Sequence, residues 1–503
     1  MSAGKLVSPN ALEAYLGKSS QSFLKEDIIR FCVDNAVEMV NFHYCGWDGR
    51  LKTLSFVLQG LDHLDSILSS GERVDGSSLF PFIQAGKSDL YVLPKYRTAF
   101  LNPFAEVPTV DFLCCFFDRD GQLFESAPEQ ILRRADEEMK AVTGLSMETM
   151  GELEYYVISD QEPLYPVADQ KGYHESAPFN KTEAFRLKAM RLIAAAGGKI
   201  KYGHSEVGNF TYEGKNYEQN EIEFLPCPIQ EAADQLVIAK WIMRQLAYEW
   251  DVELTFAPKI TAGKAGSGMH VHCRFTKDGK NMNVDAKGEQ TDVCRKAIAG
   301  FMDAGTSLPA FGNPHPLSFM RLVPHQEAPT SLCWSFSNRS ALVRVPLGWT
   351  ADVDMAAGCN PLEKAQNRNF SQKSTFEWRA SDGFADTYLL MAALCCAARH
   401  GFEMPNGLEV AEKTFVPLGV NIHDKDNEGV QKSLEQLPGN CYEAAGELEK
   451  DREIYTSRGV FSSAIVDHYI KYLKSFNDQT LRDQLQKDPQ ALLSLVQENI
   501  DRG

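Results

Sequence analysis

Three short apolar stretches each carry two chemically capable side chains spaced i, i+2: Gly151-Glu152-Leu153-Glu154-Tyr155, Gly268-Met269-His270-Val271-His272 and Phe376-Glu377-Trp378-Arg379. Successive side chains on a strand point to opposite faces, so this spacing puts both polar groups of a pair on one face and the apolar residues on the other. Carboxylates crowded on a sheltered face repel one another and raise each other's pKa, so such a face is stable only when cations neutralise it. Divalent metal is the expected cation.

The elements that must hold these pairs form an N-terminal domain of residues 1–125 and an α+β domain of residues 126–503 with a C-terminal helical tail. In the first, the spacing predicts an amphipathic helix through Leu24, Ile28, Ile29, Phe31 and Cys32, then a hairpin from Met39 to Val57 around Trp47-Asp48-Gly49-Arg50. Strands are expected at Leu90 to Leu93 and Thr109 to Phe117, and a helix from Pro128 to Val142 leads into Glu152. Further helices are expected at Thr182 to Ala196, Ile229 to Trp250, Asp292 to Ala304 and Asp386 to His400. From Ser462 the chain reads as helices striped with Leu473, Leu481, Leu485, Leu492 and Leu495, a packing or subunit-contact tail. The stretches Asn313-Pro-His-Pro316 and His423 to Asn427 read as loops.

At 503 residues the chain has ample capacity for a large core, and its net charge of -17 excludes roles that rest on attraction to nucleic acid or anionic membrane. The longest apolar run, Tyr388 to Ala398, is far shorter than the ~20 residues a bilayer requires, and the start lacks an apolar signal segment, so a soluble cytoplasmic protein is expected. None of the 12 cysteines forms a Cys-x-x-Cys pair, which favours buried free thiols over zinc or disulfides. Neither a Walker-type loop nor a strand-borne Gly-x-Gly-x-x-Gly is present.

A lone Glu-x-Glu or His-x-His is ordinary, but these pairs occur in order with Asp75-Gly-Ser-Ser, Gln219-Asn-Glu221, Arg321-Leu-Val-Pro-x-x-Glu327-Ala-Pro and Asn338-Arg339-Ser-Ala-x-Val-Arg344-Val-Pro. In that combination the chain resembles glutamine synthetase of the type I class, from about Asp27 to beyond Asp451. The resemblance implies an N-terminal β-grasp domain, a catalytic domain built on a curved antiparallel sheet with surrounding helices, and a dodecamer of two hexameric rings with active sites shared between subunits. It implies two or more Mg²⁺ or Mn²⁺ ions, one held by Glu154, Glu206 and Glu221 and another by Glu152, His270 and Glu377. It further implies ATP, glutamate and ammonium as substrates, joined through a γ-glutamyl phosphate. By the same resemblance Arg339, Arg344 and Arg379 serve the transferring phosphate, while Arg321 and Gly266 serve glutamate. Asp75 of an adjacent subunit, Tyr173, Glu206 and Glu327 serve ammonium, with Asp75 taking the proton and Glu327 closing the site. His272 and Lys373 are expected at the nucleotide.

The chain departs from the family pattern in four places. His325-Gln326 precede Glu327, Lys264-Ala265 precede Gly266, a longer hairpin separates Glu206 from Glu221, and the tyrosine segment adenylylated in some members has no counterpart near His423. Glu223 competes with Glu221 as a ligand. A γ-glutamyl-amine ligase is the nearest rival reading, and a non-catalytic superfamily member is another. An ATP-guanidino phosphotransferase would need a reactive cysteine, and only Cys273 lies in the motifs, pointing away from His272.

Overall fold

Thr109–Phe117 is buried along almost its whole length, because this β-rich run of Val, Leu, Phe and Cys sits in the middle of a sheet. The computed structural model describes residues 8–83, 86–323, 328–346, 348, 353–366, 370–420, 422 and 427–503. Its first sheet contains β1 (Met39–Cys45), β2 (Leu51–Val57), β3 (Glu72–Asp75), β4 (Asp89–Pro94), β5 (Phe100–Leu101) and β6 (Thr109–Phe117), in the order β2-β1-β6-β4-β3 with β5 beside β6. β1 and β6 run parallel, and β1 with β2 forms the expected hairpin. Helices Lys25–Asp34 and Leu61–Ser70 supply Ile28, Phe31, Leu64 and Leu68 to the core under Phe42 and Phe112. The result is the β-grasp arrangement of a sheet with a helix packed on it.

The second sheet contains β7 (Ser146–Asp160), β8 (Ile200–Tyr212), β9 (Lys215–Phe224), β10 (Cys227–Pro228), β11 (Glu253–Thr255), β12 (Met269–Lys277), β13 (Lys280–Asn281), β14 (Trp334–Phe336), β15 (Val343–Val345) and β16 (Phe376–Trp378). Its path is β14-β15-β16-β12-β7-β9-β8, antiparallel except for the pair β14 and β15. Leu153, Val271, Cys273, Phe376 and Trp378 alternate with the polar pairs and face a large core. Helices Pro128–Thr143, Ile229–Glu249 and Thr387–Glu403 complete that core. No helix among the described residues is long and apolar enough to cross a membrane. All twelve cysteines are free, and of them only Cys359 is exposed.

Two readings from sequence gain detail. The expected loop at Asn313-Pro-His-Pro316 is short and buried and ends where a helix begins: His315 caps helix Pro316–Arg321 by accepting from the Leu317 N–H, and Pro316 takes the first helical position where no N–H is needed. The C-terminal helices pack on their own chain, with Leu473 in the main core and Leu485 and Leu492 in a smaller one beside Tyr156 and Tyr217. Of the second expected loop, His423 to Asp426 lie outside the described residues.

One buried carboxylate ties the two domains. Asp234, on helix Ile229–Glu249, accepts from Lys95 Nζ at 2.6 Å and Arg97 Nη2 at 2.5 Å of the first domain, and from Tyr388 Oη at 2.7 Å. Burial alone would raise its carboxyl, but the two cations hold it below the usual range. Asp234→Asn keeps the volume while leaving Lys95 and Arg97 without their counter-charge. A loss of about 3 kcal/mol in urea unfolding is expected; a variant as stable as the parent would mean that this carboxylate does not hold the domains together.

Candidate active site

Strand register converts the three sequence pairs into one polar surface. β9 places Glu223 opposite Glu152 and Glu221 opposite Glu154, and β8 then places Tyr202 opposite Glu223 and His204 opposite Glu221. On the other side β12 sets His270 opposite Glu152, β16 sets Glu377 opposite His272, and β15 sets Arg344 opposite Glu377. The curled sheet closes this face into a cavity of about 510 Å³. Of the residues predicted from sequence, it is lined by Glu152, Glu154, Tyr173, Glu206, Glu221, Gly266, His270, His272, Arg321, Arg339, Arg344, Glu377 and Arg379. Asp75 and Lys373 do not line it. Asp75 is exposed on the first domain, where Ser77 and Ser78 hydroxyls at 2.7 and 2.8 Å hold its carboxyl below the usual range. Lys373 sits in an exposed turn with Nζ 5.1 Å over the Phe370 ring. Glu327, with His325 and Gln326, lies outside the described residues.

One end of the cavity is neutralised from within. His272 Nε2 lies 2.7 Å from Glu152 and 3.1 Å from Glu377, while Arg379 and Arg344 approach Glu377 at 2.8 and 3.2 Å. Burial opposes the imidazolium, yet the two carboxylates push the His272 pKa up to about 10. Burial likewise opposes the Glu377 carboxylate, and His272 outweighs it, bringing Glu377 to about 2 and holding Glu152 well below its usual range.

The other end is not neutralised. Burial, then Glu152, Glu154, Glu206 and Glu223, push Glu221 well above the ordinary carboxyl range. Its neighbouring His204 nitrogen lies at 3.5 Å, and burial lowers that imidazole's pKa. The competitor Glu223 has donors of its own: Lys201 Nζ at 2.5 Å and the Tyr202 hydroxyl. Glu154 accepts from Gly268 N at 2.6 Å and Gln219 Nε2 at 3.2 Å. Glu206 falls in the register shift between Ser205 and Asn209, which displaces it from the regular row.

Among the described residues, two groups of donors therefore lie within coordinating range of one another, Glu152 with His272 and Glu377, and His204 with Glu221 and Glu223. Carboxylate oxygens with one imidazole fit a divalent ion such as Mg²⁺ or Mn²⁺, and the raised Glu221 is the feature a cation would relieve. His270 stands beside the first group, with Nδ1 2.9 Å from Glu152 and Nε2 3.2 Å from Arg321 Nη2. His204 does not emerge from the sequence; its signal is its place two residues before Glu206, legible only once β8 is paired with β9.

Arg321 ends its helix beneath the turn after β16, and its guanidinium donates to the carbonyls of Arg379 at 3.2 Å, Ala380 at 2.8 Å and Ser381 at 3.4 Å. Its fork is thus engaged by the chain itself. Gly266 and Gly268 permit this approach, since a Cβ on Gly266 would collide with the Pro258 carbonyl and one on Gly268 with Arg321 Nη2. At the mouth, Tyr173 stacks on His174 with centroids 4.1 Å apart, and His174 and Tyr202 flank His204 at 4.4 and 5.9 Å. Cys273 is buried and its thiol pKa is pushed up by that burial, so it offers no nucleophile.

Residues 36–119 match the family described as glutamine synthetase, beta-Grasp domain, and residues 125–488 match glutamine synthetase, catalytic domain. A glutamine synthetase from Mycolicibacterium smegmatis is 27% identical over 486 residues, covering 89% of this chain and 94% of that protein. Among solved structures, Plasmodium falciparum glutamine synthetase superposes with a TM-score of 0.74 at 20% identity over 92% of this chain and 98% of the other. The ADP complex of GmaS gives 0.70 at 17% identity over 92% and 98%. At such identities the structural likeness is one of fold.

The charge layout sets a pH dependence for the metal-stripped protein. The folded pKa of Glu221 lies above its ordinary 4.5 and that of His272 is about 10 against 6.5, so folding retains protons that the unfolded chain releases. Their contributions are complete below the unfolded values and are lost as pH rises through the folded ones. In EDTA, thermal stability should therefore fall from pH 6 to 10. Glu221→Gln should flatten the lower part of that decline, and Mn²⁺ should restore the parent; coincident parent and variant curves would refute the repulsion at Glu221.

Proposed function

The chain belongs to the glutamine synthetase family, and on that premise we propose that it makes L-glutamine from L-glutamate and ammonium, ATP first phosphorylating the side-chain carboxylate. The observation that carries this reading is the cavity's charge layout, cationic around Glu377 and short of cations around Glu221. A carboxylate is a poor electrophile and reacts with an amine only after activation. Phosphoryl transfer is chiefly positioning and charge neutralisation, and in this reading Arg339, Arg344 and Arg379 meet the transferring phosphoryl group. His272 and Lys373 contact the nucleotide.

Glu154, Glu206 and Glu221 would hold one Mg²⁺ or Mn²⁺ ion, with Glu223 and His204 at hand, and Glu152, Glu377 and His270 or His272 would hold another. Bound there, the ions supply Lewis-acid charge to phosphate oxygens. Arg321 exchanges part of its carbonyl bonding for the glutamate α-carboxylate, and Gly266 leaves room for it. Tyr173, Glu206 and Glu327 attract ammonium, Asp75 of a neighbouring subunit in a cytoplasmic dodecamer takes its proton, and Glu327 closes over the acyl phosphate to exclude water.

A second reading, a γ-glutamyl-amine ligase, is favoured by one observation. The rings of Tyr173, His174, Tyr202 and His204 line the acidic end, and aromatic faces beside carboxylates suit an alkylammonium as well as ammonium.

ADP release with ATP, Mg²⁺ and glutamate, comparing ammonium with methylamine, ethylamine and putrescine, separates the two. Ammonium-dependent glutamine formation is expected; turnover with larger amines alone would transfer the assignment to the second reading, and silence with all acceptors would overturn both. Glu377→Ala and Glu221→Ala should each lower turnover by about 100-fold or more, and unimpaired turnover in either would remove that residue from the metal site. Asp75→Asn should raise the KM for ammonium roughly tenfold, the value of one charge-assisted contact, while an unchanged KM would deny it the proton-acceptor role.

A further inference from the structure

A second cavity of about 700 Å³ lies directly behind one wall of the active-site cavity. Residues one or two apart in the chain divide between the two: Gln170, Val207, Gln219 and Ala265 line the first, whereas Asp169, Asn209, Glu218 and Lys264 line the second. The wall is a bonded unit. Asn209 O accepts from Gln170 N at 2.9 Å, Asn209 Oδ1 accepts from Lys171 N at 3.0 Å, and Gln170 Oε1 accepts from Ala265 N at 2.6 Å.

The lining specifies a ligand chemistry. Phe210 and Tyr217 stack nearly parallel, 7° apart with centroids at 4.6 Å, Tyr156 packs edge-on behind Phe210, and Phe179 lies exposed on the lining. Two of the charged groups are already satisfied. Glu218 accepts from Asn180 Nδ2, Lys181 N and Thr182 N at 3.3, 3.1 and 2.9 Å, and Lys181 Nζ donates to the carbonyls of Leu164 and Pro178. Of the other three, Glu162 is largely exposed with a carboxylate oxygen 4.0 Å from Lys181 Nζ, while Lys264 and Asp169 join through one ammonium hydrogen and one carboxylate oxygen, which leaves further donors and a second oxygen for a ligand. Aromatic surface next to an ion pair with spare valences on both partners complements a ring that carries both charges.

We propose that this cavity binds a small aromatic zwitterion, of amino-acid size and charge pattern, and that the ligand acts on the active site through the Lys264–Asp169 pair. A carboxylate on Lys264 and an ammonium on Asp169 compete with that pair. Lys264 is followed by Ala265, bonded to Gln170, and by Gly266, whose carbonyl accepts from Gln219 Nε2 at 3.0 Å. A shift at Lys264 therefore reaches four residues of the active-site lining, Ala265, Gly266, Gln170 and Gln219. The proposal stands on the cavity's geometry and does not depend on the ligase reading.

Calorimetric binding of tyrosine, tyramine, 3-(4-hydroxyphenyl)propionate and 4-ethylphenol to the full chain tests it, because the four share a ring and differ only in charge. Tyrosine should bind about tenfold more tightly than tyramine or 3-(4-hydroxyphenyl)propionate, the value of one charge-assisted contact, and about a hundredfold more tightly than 4-ethylphenol, which lacks both. Lys264→Gln and Phe179→Ala, both on partly or fully exposed side chains, should each weaken it about fivefold or more with thermal stability unchanged. Equal binding of 4-ethylphenol, tyrosine binding that survives both substitutions, displacement of tyrosine by glutamate, or no binding by any of the four would each overturn the site. Hydrogen exchange of residues 259–268 should change on saturation with tyrosine, and an unaltered pattern would overturn the coupling.

Discussion

The repulsion among carboxylates on one face of the second sheet is the constraint to which the rest of the structure answers. Glu377 lies on β16, Glu152 and Glu154 on β7, and Glu221 and Glu223 on β9, with only histidines between them on β12. An isolated buried carboxylate costs several kcal/mol. The chain supplies compensation at one end with His272, Arg344 and Arg379 and at the far edge with Lys201, and it withholds compensation at Glu221. That omission leaves an anionic stretch around Glu221 that the ion pairs of the face do not answer.

Such a face needs a firm back. A Cβ on Gly151 would stand 2.9 Å from Leu236, so the absence of a side chain lets helix Ile229–Glu249 press directly on β7 beside Glu152. The same helix presents Asp234 to Lys95 and Arg97, and Trp241 to His43 and Phe104 of the first domain at ring distances of 5.0 and 5.7 Å. One helix thus fixes the carboxylate strand on one side and the N-terminal domain on the other. Mechanical continuity between the domains follows from that double duty.

Much of this is legible in sequence because strand alternation is local. Glu152 and Glu154 share a face whatever the fold around them, and the helix from Ile229 ends within a residue of its expected limit. What escapes depends on register or on distant backbone. His204 and Tyr202 join the site only because β8 pairs with β9 across a bulge, and a second bulge, ahead of the hairpin turn, moves Glu206 off the regular row. The engagement of Arg321 by the carbonyls of residues 379–381 joins segments almost sixty residues apart, which no local pattern encodes. The loop at Asn313 to Pro316 is legible, but its burial is not, because burial depends on distant segments, and Pro316 at a first helical position has no N–H to satisfy.

Curvature is the last requirement. From Arg344 on β15 to His204 on β8 the path crosses five strand spacings, about 24 Å in a flat sheet at ~4.8 Å each. Groups so far apart could not act on one small molecule. The sheet instead curls until Arg344, Glu377, Glu152, Glu221 and His204 line a single cavity of about 510 Å³. Bulges bend the strand that carries them and increase local twist, and β8 shows register shifts near both Ile200 and Ser205, at the acidic end of the path. The irregularity that displaces Glu206 from its row therefore sits at the acidic end of the path, where extra twist favours curling of the sheet.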